Sequence, residues 1–442
     1  MAGHYSPEEI EESLSGHLPK EKSKEILRHL LRGCAECQAA AQSVRRHLTA
    51  IEGSLPPYLN SSYGTMLDRA DDFARRVASL PSGERRRFRK TLTLLKSGNG
   101  VLALTETGNM RLEGLGVYEA LLARSWELRY EDPQAMCHLA RSAVEVAQCL
   151  DSNVHGPWGV ADYSARAWGE LANAYRVANR LRKAERAFAT AYDFFQQSSR
   201  NRRLLMRLLD LEASLLGTLR DFDTALERLT SLSSLYQSAG ETHLAGRTFI
   251  TKSLYEYYQG NVDLAYESLK EGLKLIDENR DASLMMVASH NHLLFLVEKG
   301  FFDEAKIVLF KNRANLADGG RIAQLKLRGI EGEIYYGLGK LDRAELVFRE
   351  VKQGFRNADL TFACALESLF LAMTLMRQGR HDEAIQEGLE ATAAFIALSI
   401  HREVLGSVLF LEEAIRAKTA TISLFEKTVR YLRRKQIEFG IE

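Results

Sequence analysis

Residues 168–191, WGELANAYRVANRLRKAERAFATA, contain the clearest copy of a helical pattern in this chain. Apolar residues recur at intervals of three and four positions on both sides of Asn179, which is the spacing of the buried face of an α-helix. Asparagine tolerates the left-handed backbone that ends many helices. The stretch therefore predicts two helices joined by a tight turn at Asn179, with Ala184 small enough to let the two helices cross closely.

The same pattern recurs along the chain at a nearly constant period. Each copy has an alanine at the crossing position: Ala184, Ala225, Ala265, Ala305, Ala344 and Ala384, at intervals of 41, 40, 40, 39 and 40 residues. Repetition at a period of this size is the sequence signature of a helical-repeat solenoid. We therefore predict an all-α fold of stacked helical hairpins, an architecture that mainly provides an extended binding surface.

The turn position lies five residues before each alanine. It is Asn179 in the first copy and a glycine in four others, namely Gly260, Gly300, Gly339 and Gly379. Acidic residues follow in the first turn of the next helix, where the helix dipole favours negative charge; they are Asp223, Asp263, Asp303, Asp342 and Asp382. Arg220 occupies the turn position of the second copy, so we predict that this turn is capped differently.

The first copy resembles the tetratricopeptide repeat position for position. The matching residues are Trp168, Leu171, Ala172, Tyr175, Ala184, Phe188 and Ala191, and a similar set surrounds Ala344. The resemblance covers roughly residues 160–400, in copies longer than the ordinary repeat of about 34 residues. It implies a right-handed solenoid with long helices, whose first helices line a concave partner-binding face. A helical-pair solenoid of another type is the alternative.

Composition shifts divide the chain into five segments. Residues 1–51 form an N-terminal module, and residues 52–64, rich in Gly, Pro, Asn and Ser, form a linker. Residues 65–114 are a helical connector with helices over 66–80 and 84–95 that we expect to pack against the solenoid. The solenoid covers 115–400, beginning with a degenerate helix pair over 115–150, and 401–442 form a C-terminal helical cap.

One group of residues near the N-terminus has the chemistry of a metal site. His29, Cys34 and Cys37 form a His-x4-Cys-x2-Cys motif, and an imidazole with two thiolates suits tetrahedral zinc. The motif resembles the zinc-binding anti-sigma-factor domain, from which it differs by one residue in the His–Cys spacing. His17 and His4 are candidates for the fourth ligand, and we favour His17. The resemblance implies a structural zinc ion and the binding of a sigma factor or similar regulator; two cysteines capping a helical hairpin without metal are the alternative.

Polar residues of the predicted first helices are the candidates for partner binding. They are Arg166, Glu170, Asn173, Arg207, Lys252, Asn291 and Arg328. Asn173 lies two positions before Tyr175, where members of the tetratricopeptide family often place an asparagine that holds a peptide backbone. Solvent exposure without a binding role is the alternative for each residue.

Charge and composition exclude several classes of function. The 442 residues carry a formal net charge of +1, which argues against wholesale nucleic-acid binding. Basic runs at 85–90 and 430–435 are expected to be solvated helix faces. No stretch reaches the roughly 18 apolar residues of a membrane span, and the acidic first residues are not a signal peptide. Five scattered cysteines do not suggest a disulfide framework, so we predict a cytoplasmic protein.

No catalytic motif accompanies the repeats. The chain has no Gly-x-x-x-x-Gly-Lys-Ser/Thr phosphate loop and no His-Glu-x-x-His sequence, and His290 and His292 are spaced to point to different helix faces. We therefore predict a non-enzymatic bacterial regulatory scaffold that holds a protein or peptide in its groove. The alternatives are a sensor that closes on a short signalling peptide, and an accessory subunit or substrate of a protease or defence system.

Overall fold

A computed structural model describes residues 74–97, 113–129, 131–277, 280–317, 320–398 and 418–436, with a few isolated positions elsewhere. The regular secondary structure of these residues is α-helical, and none of their helices is long and apolar enough to cross a membrane. The predicted linker at 52–64 and the predicted zinc ligands His17, His29, Cys34 and Cys37 lie outside the described residues.

The chain divides into two compact units, and the first contains residues 70–221. Its helices with described bounds are α1 (Ser82–Lys96), α2 (Leu115–Glu127), α3 (Pro133–Gln148), α4 (Ser152–Val177), α5 (Leu181–Gln196) and α6 (Arg202–Thr218), and residues 74–79 are also helical. Consecutive helices from α1 to α5 pack against each other. The predicted helix pair over 115–150 is therefore confirmed as α2 and α3.

The connector helix α1 packs directly on α2. A side chain at Gly116 would lie 2.2 Å from the carbonyl oxygen of Glu84, so only glycine allows the two backbones to approach this closely. The Gly116 N–H donates to the Glu84 carboxylate at 2.7 Å. The helix begins at Ser82, two residues earlier than predicted, because Pro81 fits the position before the first helical residue.

The second unit contains residues 222–442. Its helices are α7 (Phe222–Ser238), α8 (Thr242–Tyr258), α9 (Val262–Leu275), α10 (Ala282–Glu298), α11 (Phe302–Ala317), α12 (Gly320–Gly337), α13 (Leu341–Arg356), α14 (Thr361–Arg377), α15 (His381–Ala397) and α16 (Ile422–Gln436). The pairs α8/α9, α10/α11, α12/α13 and α14/α15 are antiparallel hairpins, each corresponding to one sequence repeat.

The six repeat turns share one geometry. Their turn residues have φ between 56° and 94°, and the N–H of the following residue donates to the carbonyl five positions earlier, as from Arg180 to Tyr175. Arg220 follows the same rule, with φ 62° and a bond from Asp221 N–H to the Leu216 carbonyl. The prediction of a different cap at Arg220 was therefore wrong: arginine accepts the left-handed conformation, at a cost of roughly 1 kcal/mol.

The six repeat alanines are buried. Each is at most 2% exposed, which is the environment expected for a small residue at a helix crossing.

The last helix, α16, covers the end of the stack. Its residues Phe425, Val429 and Leu432 are buried in one core with residues of α14 and α15, including Phe395. A repeat array needs such a cover because its terminal hairpin would otherwise expose an apolar face.

Candidate partner-binding site

The C-terminal helix does more than cover the last hairpin. Helix α16 comes within 8 Å, Cα to Cα, of both α14 and α8. These are the first helices of the last and the first complete hairpins of the second unit. We call the first helices α8, α10, α12 and α14 the inner row. Helix α16 therefore lies across the inner row.

Three buried carboxyl groups lie on successive helices of the inner row. Glu298 ends α10, Glu333 is in α12 and Glu367 is in α14. The side chains of Glu298 and Glu333 are 4% and 9% exposed, and Glu367 is 7% exposed as a residue. We call these three residues the acid cluster. Buried carboxyl groups are rare without a partner, so their neighbours decide what the cluster does.

Arg433 of α16 reaches into the acid cluster. Its Nη2 donates to Glu333 Oε1 at 2.6 Å, and its Nη1 donates to Glu298 Oε1 at 3.3 Å. The guanidinium carbon also lies 5.1 Å from the centroid of the Phe370 ring, a cation–π distance. One side chain thus links α16 to α10, α12 and α14.

Glu367 is not satisfied by this arrangement. Its Oε2 is buried and makes no hydrogen bond within the described part of the chain. Burial raises the pKa of Glu367 to about 8, and the neighbouring Glu333 raises it further while Arg433 opposes the shift. Glu367 therefore holds a proton at neutral pH. Burial also raises the pKa of Glu333, against the effect of Arg433.

Two further titratable groups lie near the cluster. The Tyr257 hydroxyl of α8 donates to Glu298 Oε1 at 3.3 Å, and burial raises the pKa of Tyr257. Burial, with a smaller effect of Arg433, lowers the pKa of His290 in α10 to about 4, so this imidazole is neutral at pH 7. The site offers buried carboxyl groups and aromatic rings to a cation.

The other arginines of α16 are less engaged. Arg430 has its Nε 4.0 Å from Glu298 Oε2, and its side chain is 52% exposed. Arg434 extends over the repeat turn, where its Nη1 would lie 3.0 Å from a side-chain carbon added at Gly260. The sequence-based expectation of a solvated basic face at 430–435 is therefore wrong for Arg433, which is enclosed among carboxylates. The basic run at 85–90 includes the exposed residues Arg85, Arg86, Arg89 and Lys90.

In the first unit, the predicted binding residues are engaged with nearby side chains. Arg166 forms a bidentate pair with Glu119 at 2.5 and 3.0 Å, and both side chains are at most 5% exposed. Arg207 pairs with Glu170 at 2.8 and 3.2 Å. The Asn173 side chain is buried and accepts hydrogen bonds from Arg176 at 3.0 and 3.2 Å.

In the second unit, the predicted residues differ in their exposure. Lys252 and Arg328 have side chains 23% and 28% exposed, and both face acidic neighbours. Lys252 Nζ is 3.7 Å from Glu256, four positions along the same helix. Asn291 is buried, and its amide nitrogen makes no hydrogen bond within the described residues.

Sequence reasoning missed the acid cluster and its contact with Arg433. One signal was available for Glu367, which is the only charged residue between Thr361 and Met376 in an otherwise apolar and small-residue helix. A lone acid at such a position is costly to bury unless something faces it. No comparable signal marks Glu298 or Glu333.

No protein-family model matches the chain, and no curated protein matches it in sequence. Among solved structures, it is similar to the apo form of RapI, with a TM-score of 0.48 and 13% identity over 64% of this chain and 98% of that one. It is also similar to aspartyl phosphate phosphatase F from Bacillus subtilis, with a TM-score of 0.45 and 14% identity over 100% and 98%. A tetratricopeptide repeat protein from Parabacteroides merdae gives 0.42 and 16% over 67% and 98%. Because these TM-scores are below 0.5, the likeness assigns no function to this chain.

Proposed function

We propose that the protein is a non-enzymatic regulatory scaffold that binds a segment of a protein or peptide partner along the inner row. The observation that carries this proposal is α16 itself. The inner row holds a helical segment through the Arg433 ion pairs and the burial of Phe425, Val429 and Leu432. An amphipathic helix laid in a groove with its anchors one turn apart is a recurring mode of peptide recognition.

Site-specific photo-crosslinking in cells of the source organism tests this proposal. A photoreactive phenylalanine analogue is placed at Lys252 or Arg328, which are partly exposed on first helices. Matched controls carry the analogue at Leu346 or Phe310, which are 66% and 81% exposed on second helices. We expect one defined partner adduct from the first-helix positions and none from the second-helix positions. Equal labelling at all four positions would contradict binding along the inner row.

We also propose that the N-terminal module binds zinc through His29, Cys34, Cys37 and His17 and engages a sigma factor or similar regulator. The support for this proposal is the ligand spacing in the sequence. Replacing Cys34 and Cys37 with serine is expected to remove about one zinc ion per chain, measured by elemental analysis of purified protein, and to abolish binding of the regulator. Cys149→Ser, at an exposed cysteine, is the matched control. A zinc content unaffected by the double substitution would overturn the proposed site.

A further inference from the structure

We infer that the acid cluster is a binding site for an arginine-bearing helix of a partner protein, and that α16 occupies this site as an intramolecular competitor. The inference rests on the proposed function of the inner row and specifies the chemistry of the partner. It follows from three features of the second unit: the position of α16, the unsatisfied buried oxygen of Glu367, and the spacing of the cations on α16.

Helix α16 makes contacts that are not needed to cover the last hairpin. Apolar contacts with α14 and α15 are sufficient to cover the end of a repeat array. Arg433 instead reaches Glu333 and Glu298, which lie 100 and 135 positions away in sequence. Burying carboxyl groups to meet one arginine is costly, so a purely structural cover would gain more from apolar residues at these positions. The acid cluster is therefore better explained as a recognition surface.

The polar groups of the site are incompletely satisfied while α16 is bound. Arg433 pairs with Glu298 and Glu333, whereas the buried Oε2 of Glu367 has no hydrogen-bond partner among the described residues. A helix that places a second cation near Glu367 would favour the ionised form of this carboxyl group and donate a hydrogen bond to Oε2, a contact that α16 does not make. The site is thus incompletely matched to its own chain and remains open to a better ligand.

The cations of α16 define the pattern that such a ligand must carry. Arg430, Arg433 and Arg434 stand at positions i, i+3 and i+4, so they lie on one helix face. Phe425, Val429 and Leu432 lie on the apolar side of the same helix. The expected partner segment is an amphipathic helix with two or three basic residues at this spacing beside an apolar stripe.

The covalent connection gives α16 an advantage over a free helix. A tethered segment competes at an effective concentration of about 1 mM when its linker is short and flexible. The apparent affinity for an external helix is reduced by the fraction of molecules in which the site is open. Weakening the attachment of α16 should therefore strengthen binding of an external basic helix.

The test uses the full-length chain and a fluorescein-labelled synthetic peptide with the sequence of residues 419–436. Binding is measured by fluorescence anisotropy for the wild type, Arg433→Glu and Arg416→Glu. Arg416 is the matched control because its side chain is 65% exposed and its ion pair is with Glu412, four positions away. If Arg433→Glu does not fold, Arg433→Gln removes the charge with less disturbance.

We expect Arg433→Glu to bind the peptide at least tenfold more tightly than the wild type, and Arg416→Glu to bind like the wild type. Adding Glu333→Gln to Arg433→Glu, or changing the peptide residue equivalent to Arg433 to alanine, should remove this gain. Hydrogen exchange in residues 422–436 shows whether α16 is released in the same samples. Release of α16 without tighter peptide binding would overturn the inference. So would the absence of release in both Arg433→Glu and Arg433→Gln.

Failure of the inference is distinguishable from failure of the proposed function. If α16 is released and the peptide does not bind, but partner adducts still form at Lys252 and Arg328, the inference fails and the inner row remains a partner site. If neither peptide binding nor adducts occur, both fail.

Discussion

The two units each enclose an arginine among carboxylates, and they do so in opposite ways. In the first unit, Arg166 forms a bidentate pair with Glu119 between the neighbouring helices α2 and α4. In the second unit, Arg433 meets the three-residue acid cluster and belongs to a helix that follows the whole repeat array in sequence. The matched pair can fix one arrangement of the chain, whereas the unmatched cluster can accept another ligand in place of α16.

The physical difference lies in what happens when the arginine leaves. Glu119 lies between packed helices, so loss of Arg166 would leave a charge buried without compensation. The acid cluster is covered on one side by α16, so departure of Arg433 with its helix would admit water to the carboxylates. Substitutions at the two sites separate these cases.

Arg166→Ala should lower the free energy of unfolding of the first unit by about 3–5 kcal/mol, because Glu119 is left buried without its partner. Urea denaturation, with hydrogen exchange in α2 and α4 to locate the effect, measures the change. The double variant Arg166→Met/Glu119→Leu should recover most of the loss, since the pair can be replaced by apolar groups. A decrease in the free energy of unfolding of less than about 1 kcal/mol would contradict the view that this pair is a fixed structural element.

Glu367→Gln should stabilise the second unit increasingly as the pH rises from 5 to 8. The pKa of Glu367 is raised from 4.5 to about 8 by burial, with Glu333 adding to the shift and Arg433 opposing it. Between these values the folded form holds a proton that the unfolded form has lost. The wild type therefore loses stability as the pH rises, and this loss is complete above about pH 8.

The difference between the Glu367→Gln variant and the wild type should be several kcal/mol at pH 8, and at most about 5 kcal/mol, because the pKa shift from 4.5 to about 8 is converted at about 1.4 kcal/mol per pKa unit. Glu350→Gln is the control, because the Glu350 side chain is 55% exposed. If the free energies of unfolding of the wild type and Glu367→Gln changed with pH in parallel, Glu367 would not be a buried acid with a raised pKa.

Arg433→Ala should lower the free energy of unfolding by about 1–2 kcal/mol, which is less than Arg166→Ala, because release of α16 lets water reach the acid cluster. Urea denaturation of the same series measures the difference, with Arg416→Ala as the exposed control expected to change it by less than about 1 kcal/mol. A loss as large as that of Arg166→Ala would mean that Arg433 is as fixed as Arg166.

Arg220→Gly should have the smallest effect, a gain of about 0.5–1 kcal/mol, because glycine adopts the observed left-handed turn without the steric cost of a side chain. Arg220 belongs to neither charged cluster, so this variant measures a change in stability alone. Thermal denaturation should show the gain, and hydrogen exchange in α16 should not change. Destabilisation by glycine would indicate that the Arg220 side chain, not the backbone geometry, closes this turn.

Local features of the fold could be predicted from the sequence, because they depend on neighbouring residues. The alanine period predicted the hairpins, and a glycine or asparagine predicted each turn in which it occurs. Arg220 was misjudged because residue preference is a weak guide where the surrounding helices fix the backbone. The identity of the residue matters less there than the hydrogen bond from Asp221 to Leu216.

The acid cluster depends on contacts between residues far apart in sequence, so no local pattern indicates it. Arg430 and Arg433 belong to the same basic run, yet their side chains are 52% and 15% exposed. The sequence pattern does not distinguish an arginine that lies among carboxylates from one that is exposed to solvent. Only the folded position of α16 across the inner row separates the two roles.

Hydrogen exchange in residues 422–436 of the wild-type chain, with and without a saturating amount of the 419–436 peptide, shows whether the peptide and α16 compete for one site. If α16 occupies a site that accepts an external basic helix, exchange in this segment of the protein should accelerate when the peptide binds, while exchange in α2 and α4 stays unchanged. Peptide binding with α16 still protected would contradict the account, because the peptide and α16 would then occupy different sites.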